Sequence, residues 1–441
     1  MKEMMVKLIN YFHKSPYIKD ISTTFLTRVL TFILGVVISI IIARVLGPQG
    51  KGFYTLYLMI LSLPIQILSL GVSVSVIYFL GKRIYSKDVI FKSVVVLSFA
   101  VGVIIGIILL LSSSFIKTNI IKNDLFFYKT LIIISLLAPL WILWNYLLSI
   151  YRGLNNFKKY NFLVLFNKFL YLLFILVVLI FAATTSHCSI LCALLVAYIV
   201  SIIWGIIWLK PNVNFFKINF IQPLKNLIYF NLKGHLGTII QFFNYRLDIF
   251  LIGYFLTAKE VGYYSIGVGI AELLWYLPNA VSIVLLSRTA LANNRKEINL
   301  RTSKTVSFVF WTMILSCLVI FLLGKYIIGL MYGKNFLPAV GPLKWLLPGI
   351  ISLSIWKVLC NDLAGRGLPQ YKFYSSLPSF FITVLLNIIL IPKLGIIGAA
   401  ITTSIAYFIS TVIIICIYTR ISGTRKKELF IPRYSFYLRE R

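Results

Sequence analysis

Charged residues are scarce in this sequence, and acidic residues are scarcer still. Only 12% of the 441 residues are charged, and 11 Asp and Glu stand against 43 Lys and Arg. Soluble domains carry about twice that charged fraction. Hydrophobic residues make up 60% of the chain, and the mean hydropathy is +0.95. The composition therefore excludes an ordinary soluble domain and indicates a protein that lies within a membrane.

The sequence also lacks the residue patterns that most enzymes and metalloproteins need. His13, His187 and His235 stand near the ends of apolar runs, without the spacing of metal ligands. The five cysteines fit neither a zinc site nor a disulfide framework. No Walker motif is present, so this chain does not drive transport with ATP through that motif. We expect no catalytic residues, no metal and no cofactor.

Long apolar runs make up most of the chain. Each is long enough to cross a hydrocarbon core of about 30 Å as a helix. The runs lack the alternating pattern of β-strands, so helices satisfy their backbone groups inside the membrane. We predict an all-α polytopic membrane protein with about twelve transmembrane helices, over 23–45, 53–80, 90–114, 128–150, 160–183, 188–209, 231–256, 261–286, 305–328, 343–363, 373–391 and 396–419.

The location of the basic residues predicts the orientation. With a cytoplasmic N-terminus, and with residues at span ends counted on the adjoining side, 29 of the 43 Lys and Arg fall on the cytoplasmic side and 10 on the outer side. This bias places both termini in the cytoplasm. The net charge of +32 is therefore mainly a topology signal, with attraction to anionic membrane lipids as a second effect. We do not expect nucleic-acid binding.

The twelve spans divide six and six at the polar segment 210–230, which contains Pro211 and Pro223. An even number of spans in each half makes the halves parallel, related by an axis along the membrane normal. We therefore expect an N-terminal six-helix lobe over 1–215 and a C-terminal six-helix lobe over 216–441.

Two pairs of similar stretches support an internal duplication. The glycine corner, ARVLGPQGKGFYTLY at 43–57, has three glycines and a proline between two spans, and its looser copy is GYFLTAKEVGYYSIG at 253–267. The second pair is YRGLNNFKKY at 151–160 and GRGLPQYKFY at 365–374. Both pairs connect equivalent spans of the two halves, at offsets of 210 and 214 residues.

The glycine corner resembles the first loop of Wzx-type oligosaccharide flippases, which share a superfamily with MATE multidrug exporters and the lipid II flippase. Further motifs are similar to that family: YRGL at 151, LDIFLIGYFLTAKEVGYYSIG at 247, MYGKNFLPAV at 331 and NIILIPKLGIIGAAITTSIAY at 387. The resemblance implies two six-helix lobes around a central cavity that opens alternately to either side. It also implies a lipid-linked oligosaccharide substrate, usually on undecaprenyl pyrophosphate, moved outward for O-antigen or capsule assembly.

From this resemblance we expect a protein of the bacterial cytoplasmic (inner) membrane that contributes to lipopolysaccharide or capsule biosynthesis. Its partners would be the lipid-linked oligosaccharide and membrane lipids, together with a glycan polymerase and chain-length proteins. We expect a monomer.

Four basic residues inside spans are candidate cavity cations, because an ionisable group there costs about 2.5–3.5 kcal/mol on insertion scales. Arg246 lies near the middle of span 7 and is our first candidate for a residue that binds an anionic headgroup. The alternative is that it forms a structural ion pair. Arg28 and Lys168 lie nearer the cytoplasmic ends of their spans, so snorkelling to the headgroups stays an alternative. Lys357 in span 10 completes the set.

Two acidic residues inside spans are candidates for coupling or for ion pairs. Asp248 is two residues from Arg246 and therefore points to another helix face. It could pair with a basic residue on another helix. Glu272 could couple transport to protons or cations, or could pair with Arg246 or Arg28.

Pro64 in span 2 and Pro278 in span 8 lie 214 residues apart, at equivalent positions of the two halves. Both should kink their helices. A kink can serve packing, or it can provide the bend that closes a lobe. Aromatic residues of spans 4 and 8 could stack on sugars if they face the cavity: Trp141, Trp144, Tyr146, Trp275 and Tyr276.

Two other functions remain open. A multidrug or cation antiporter of the same superfamily would favour an acidic cavity, whereas these spans hold slightly more basic than acidic groups. A glycan polymerase or ligase would typically carry a large outer loop with catalytic residues. The longest outer segments here, near 115–127 and 329–342, are short.

Overall fold

The computed structural model describes residues 16–181, 185–211, 219–291 and 294–430. Within those ranges the regular secondary structure is helical throughout. The longer helices are α1 Pro16–Leu68, α2 Val72–Gly81, α3 Lys87–Leu111, α4 Phe127–Gly153, α5 Phe157–Phe181, α6 His187–Leu209, α7 Ile221–Phe255, α8 Ala258–Leu273, α9 Tyr276–Leu291, α10 Arg295–Tyr332, α11 Val340–Gly365 and α12 Gln370–Ser422.

Four shorter elements lie between or after these helices. Ser113–Phe115 is a single α-helical turn that continues into a π-helical turn, Ile116–Ile120. Lys334–Ala339 and Lys426–Leu429 are 3₁₀ helices. Apart from Ser113 and Ser114, which end the predicted span 90–114, they occupy positions that the sequence predicts as connections between spans or as the polar C-terminal segment.

Eight helices in the described part of the chain are long and apolar enough to cross a membrane, and α8 with α9 forms a ninth span if this bent pair is counted as one. Two of the eight, α1 and α12, are each two helices joined across one residue with non-helical torsion angles. These residues are Gly47, with φ 65°, and Gly395, with φ 61°. The predicted fold class, a polytopic all-α membrane protein, is confirmed.

The glycine corner is tighter than the sequence suggests. Within α1 only Gly47 leaves the helical region, and Pro48 follows it at once. Left-handed backbone suits glycine, and proline suits the first turn of the next helix. The copy of the corner is built differently: α7 ends at Phe255, and the Thr257 amide donates 3.0 Å to the Glu260 carboxylate in a capping box at the start of α8.

The described residues form two compact units, and the first comprises those within 1–50, 60–118 and 123–235. Its helices approach closely at glycines. A β-carbon on Gly102 of α3 would lie 2.5 Å from the side chain of Pro139 in α4, and one on Gly205 of α6 would lie 2.5 Å from Leu147 in α4. The phenol of Tyr151 donates a 2.6 Å hydrogen bond to the Gly205 carbonyl. Helix α4 is therefore the centre of this unit.

The second unit comprises the described residues of 51–59, 119–122 and 236–441. Its centre is α11, which packs on α12 where Gly349 would place a β-carbon 2.6 Å from Ser404. It also packs on α9, where a β-carbon on Gly365 would lie 2.8 Å from the Leu286 carbonyl oxygen. Residues 51–59 of α1 enter this unit because Gly52 lets their backbone approach α8. The lobe boundary near residue 215 stays a prediction.

The arginine of the second RGL motif closes a buried polar network in the second unit. Arg366 donates from Nε to the Asp362 carboxylate at 2.7 Å, and Asp362 is fully buried. The Thr289 and Thr302 hydroxyls donate to the other oxygen of that carboxylate at 2.9 and 2.8 Å. Arg152 of the first RGL motif instead donates to the Ser149 hydroxyl at 2.9 Å.

Candidate functional site

The predicted site residues divide between the two units. Arg246 and Asp248 on α7, Glu272 on α8 and Lys357 on α11 lie in the second unit. The first unit holds the other two predicted cations: Arg28 on α1, which is exposed, and Lys168 on α5, which is half-buried. The functional roles of all six residues stay predictions.

Arg246 and Glu272 form a two-pronged ion pair between α7 and α8. Nη1 of Arg246 lies 3.0 Å from Oε1 of Glu272, and Nη2 lies 3.1 Å from Oε2. This pairing was one of the alternatives for Glu272. The parallel arrangement is the strongest form of arginine–carboxylate contact, because two charge-assisted hydrogen bonds form in one plane.

The Arg246–Glu272 pair is partly open. The two side chains expose 34% and 26% of their surface. Charged side chains within membrane spans almost always face protein or water rather than lipid. We therefore expect the open side of the pair to face protein or water rather than lipid.

Three aromatic rings pack beside this pair. Tyr245 of α7, Trp275 at the junction of α8 and α9, and Tyr407 of α12 lie with ring centroids 5.7 to 6.0 Å apart. The ammonium of Lys357 lies 3.9 Å from the Trp275 ring centroid, which is a close cation–π contact. The Trp275 ring thus holds a second cation in this part of the unit.

Asp248 is buried and is bound by neutral donors. The Tyr264 hydroxyl of α8 donates to Oδ2 at 2.5 Å, and the Thr403 hydroxyl of α12 donates to the same oxygen at 3.3 Å. The Ile249 amide donates to Oδ1 at 2.7 Å. The sequence suggested a basic partner on another helix, whereas these contacts come from two hydroxyls and an amide.

A small cavity in the second unit connects these groups. Both acidic side chains and all three aromatic rings line it, together with apolar residues of α8 and α11. The lining residues are Tyr245, Asp248, Val268, Ala271, Glu272, Trp275, Leu346, Ile350, Thr403 and Tyr407.

Each of the two prolines predicted to kink a helix lies near a helix end. Pro64 lies within α1, which runs on to Leu68 and is followed by left-handed Leu70 and Gly71. Pro278 lies in the first turn of α9, just after a break between α8 and α9 with a bend of 44°. Proline is tolerated in the first turn of a helix because the amide there needs no partner in the helix.

The predicted aromatic residues have different environments. Trp144, Tyr146 and Trp275 are buried, and Tyr146 donates to the Ser69 carbonyl at 3.0 Å. Trp141 stacks on Tyr198, and Tyr276 is exposed. Of these residues, Trp275 alone lines the cavity described above.

Sequence reasoning missed Tyr245, Tyr264, Thr403 and Tyr407, which complete the polar and aromatic surroundings of the acidic residues. Two signals were available. Tyr264 lies in the copy of the glycine corner, and Thr403 and Tyr407 lie in the motif that begins at residue 387. Thr403 and Tyr407 are four residues apart, so they share a helix face.

This architecture is shared with known transporters. A structure of the lipid II flippase MurJ in an inward closed conformation matches with a TM-score of 0.72 at 18% identity, over 93% of this chain and 89% of that chain. An inward-facing multidrug resistance MATE family transporter of the MOP superfamily matches with a TM-score of 0.75 at 14% identity, over 89% and 94%. The chain is thus a polytopic all-α membrane protein with the MurJ/MATE fold.

Residues 41–341 match the family of polysaccharide biosynthesis proteins, and the chain belongs to that family. The resemblance that the motifs indicated is confirmed at this level. A probable low-salt glycan biosynthesis flippase of Haloferax volcanii is 23% identical over 192 residues, which is 43% of this chain and 41% of the relative. The matched segment thus spans less than half the length of that curated relative.

Proposed function

We propose that this protein is a flippase that moves lipid-linked oligosaccharide repeat units from the cytoplasmic to the outer leaflet. Membership in a polysaccharide biosynthesis family and the MurJ/MATE fold support this class of function. In the proposal, the chain forms two lobes, 1–215 and 216–441, and the protein opens alternately to either side of the membrane.

The observation that carries the proposal is the bidentate geometry of the Arg246 guanidinium. A guanidinium within a membrane span is costly and needs a functional or structural reason. Its two terminal nitrogens lie in one plane, held at 3.0 and 3.1 Å from two oxygens of one acidic group. A phosphate offers oxygens in the same bidentate geometry, which lysine cannot match.

A second cation supports an anionic ligand at this site. Lys357 lies over Trp275, and because Trp275 lines the same cavity as Glu272, this lysine adds positive charge to that part of the second unit. Arg28 and Lys168 of the first unit are the other two cations proposed to bind the headgroup. The aromatic rings, Tyr245 and Trp275 among them, would offer apolar faces to sugar rings.

The finer assignments follow the resemblance and are part of the proposal. The carrier would be undecaprenyl pyrophosphate and the product O-antigen or capsule. The protein would lie in the bacterial inner membrane as a monomer with both termini in the cytoplasm, beside a glycan polymerase and chain-length proteins. It would act as a transporter and catalyse no covalent step, as the names of its flippase and transporter relatives suggest.

A multidrug or cation antiporter is the second candidate, and one observation favours it. Both Asp248 and Glu272 line the cavity beside three aromatic rings. Acidic and aromatic side chains together suit an organic cation. The MATE-like fold is compatible with this function.

The test is transport by the purified protein in proteoliposomes. A fluorescent lipid-linked oligosaccharide and the cation ethidium would be offered separately. Flipping of the lipid-linked sugar should be lost in Arg246→Ala and partly kept in Arg246→Lys. The matched control is Arg301→Ala, since Arg301 also pairs with a glutamate but is exposed on α10.

Two results would count against the proposal. Export of ethidium without movement of the lipid-linked sugar would favour the antiporter. Full flipping by the Arg246→Ala variant would remove Arg246 from the binding site.

A further inference from the structure

The bidentate position on Arg246 is occupied by a carboxylate of the same chain. Glu272 places both oxygens on the two terminal guanidinium nitrogens, as two phosphate oxygens would. An anionic ligand that binds Arg246 in this mode must first displace Glu272. Both side chains of the ion pair are partly exposed, so a ligand has room to reach Arg246 and displace Glu272.

We propose that Glu272 determines specificity by competing for Arg246, so that the site rejects singly charged anionic lipids and admits pyrophosphate headgroups. This inference rests on the proposed flippase function, because it concerns the same headgroup site. It assigns Glu272 a role as a built-in competitor instead of a coupling residue.

The selectivity follows from charge. A phospholipid phosphodiester carries one negative charge, as Glu272 does, so exchanging one for the other adds no attraction to Arg246. A pyrophosphate headgroup carries about two negative charges, and its attraction to a nearby guanidinium is correspondingly larger. Anionic phospholipids are abundant in the cytoplasmic leaflet, where an unguarded arginine would bind them.

The structure also offers a place for the displaced carboxylate. Lys357 is held over the Trp275 ring, with its ammonium 3.9 Å from the ring centroid. Glu272 already lines the cavity together with Trp275. A rotation of the Glu272 side chain toward Lys357 would exchange one cation for another without leaving a charge unpaired, and would keep the exchange reversible.

The experiment measures binding of undecaprenyl pyrophosphate to the full chain in nanodiscs. One set of nanodiscs contains phosphatidylcholine only, and the other contains equal parts of phosphatidylcholine and phosphatidylglycerol. Wild-type affinity should be little changed by phosphatidylglycerol. Glu272→Gln should bind about tenfold more tightly than wild type in phosphatidylcholine, and should lose that gain in phosphatidylglycerol.

Three further variants complete the design. Glu272→Asp keeps the negative charge and should keep the discrimination. Glu297→Gln removes a glutamate that pairs with Arg301 on the exposed face of α10, and it should behave as wild type. Glu272→Ala removes the competing charge as Glu272→Gln does, and it replaces that variant if the latter does not run as a single species on size exclusion.

The outcomes distinguish a failure of the proposed function from a failure of the role assigned to Glu272. Absence of pyrophosphate binding by wild type would overturn the proposed function and this inference with it. If phosphatidylglycerol weakens pyrophosphate binding by wild type as strongly as binding by Glu272→Gln, the inference alone is overturned.

Discussion

The phenolic hydroxyl of Tyr264 donates a 2.5 Å hydrogen bond to the buried carboxylate of Asp248, and so joins α8 to α7. The Thr403 hydroxyl and the Ile249 amide complete the shell of donors. All three donors are neutral. A carboxylate held in this way can take up a proton or a small cation without breaking an ion pair, in contrast to Glu272.

We therefore predict that any dependence of transport on an ion gradient passes through Asp248. Asp248→Asn should flip the lipid-linked sugar at one rate with or without a proton or sodium gradient, whereas wild type should be accelerated by one of the two gradients. Rates in proteoliposomes with imposed gradients measure this. An unchanged gradient response in Asp248→Asn would assign the coupling elsewhere.

The close approach of Gly52 to α8 should make this glycine irreplaceable. A β-carbon on Gly52 would lie 1.6 Å from the Ala258 carbonyl oxygen, so Gly52→Ala must push two backbones apart. Overpacking of this kind costs about 1–3 kcal/mol. Thermal unfolding in detergent should show a lowered Tm.

Gly35 provides the control for that substitution, because it lies in the same helix, α1, with open space around its missing side chain. Gly35→Ala should leave the Tm unchanged or raise it, since alanine is preferred to glycine inside helices by about 0.5–1 kcal/mol. Equal Tm values for the two variants would show that the Gly52 contact does not constrain the fold.

Removal of the Asp362 carboxylate should strongly destabilise the second unit. Asp362→Ala would leave the Arg366 guanidinium, which is only 12% exposed, without its ion-pair partner. Breaking a buried pair in this way costs about 3–5 kcal/mol. The free energy of unfolding in mixed micelles measures the loss.

The control for Asp362 is Glu297→Ala, which breaks a half-exposed pair with Arg301 at the same spacing of four residues. Exposed pairs contribute about 0–1 kcal/mol. A similar loss in both variants would contradict a structural role for the buried network.

The predicted orientation can be tested at three exposed lysines in a cysteine-free background. Cysteine at Lys259 or Lys334 should react with a membrane-impermeant maleimide in intact cells. Cysteine at Lys427 should react only after the membrane is permeabilised. Labelling of Lys427→Cys from outside, or protection of the other two, would reverse or refute the topology.

Much of the fold was predictable because hydrophobic length reports directly on membrane-spanning helices. Gly47 and Gly395 lie where the sequence places a connection between two spans, although each connection is reduced to a kink at that single residue. The kinks expected at Pro64 and Pro278 stay predictions, and the bend of 44° lies before Pro278, at the junction of α8 and α9. Proline indicates a break nearby without fixing on which side it falls.

The side-chain partners were less predictable, because helical spacing does not tell which helices meet. Arg246 and Glu272 are 26 residues apart on different helices, and their pairing was only one of several alternatives. The hydroxyl partners of Asp248 were missed, because tyrosine and threonine are common in membrane spans and carry no charge signal. These contacts arise from the way α7, α8 and α12 pack together.

Gly52 and Gly262 hold corresponding places in the glycine corner and its copy, and they meet in the folded chain. A β-carbon on Gly52 would lie 3.1 Å from the Gly262 amide nitrogen. If the halves arose by gene duplication, the two descendants of one ancestral corner have become neighbours. Mutational drift in either descendant is then limited by the backbone of the other. The two corners would have to evolve together while the surrounding helices diverged, which would keep this part of an old duplication detectable.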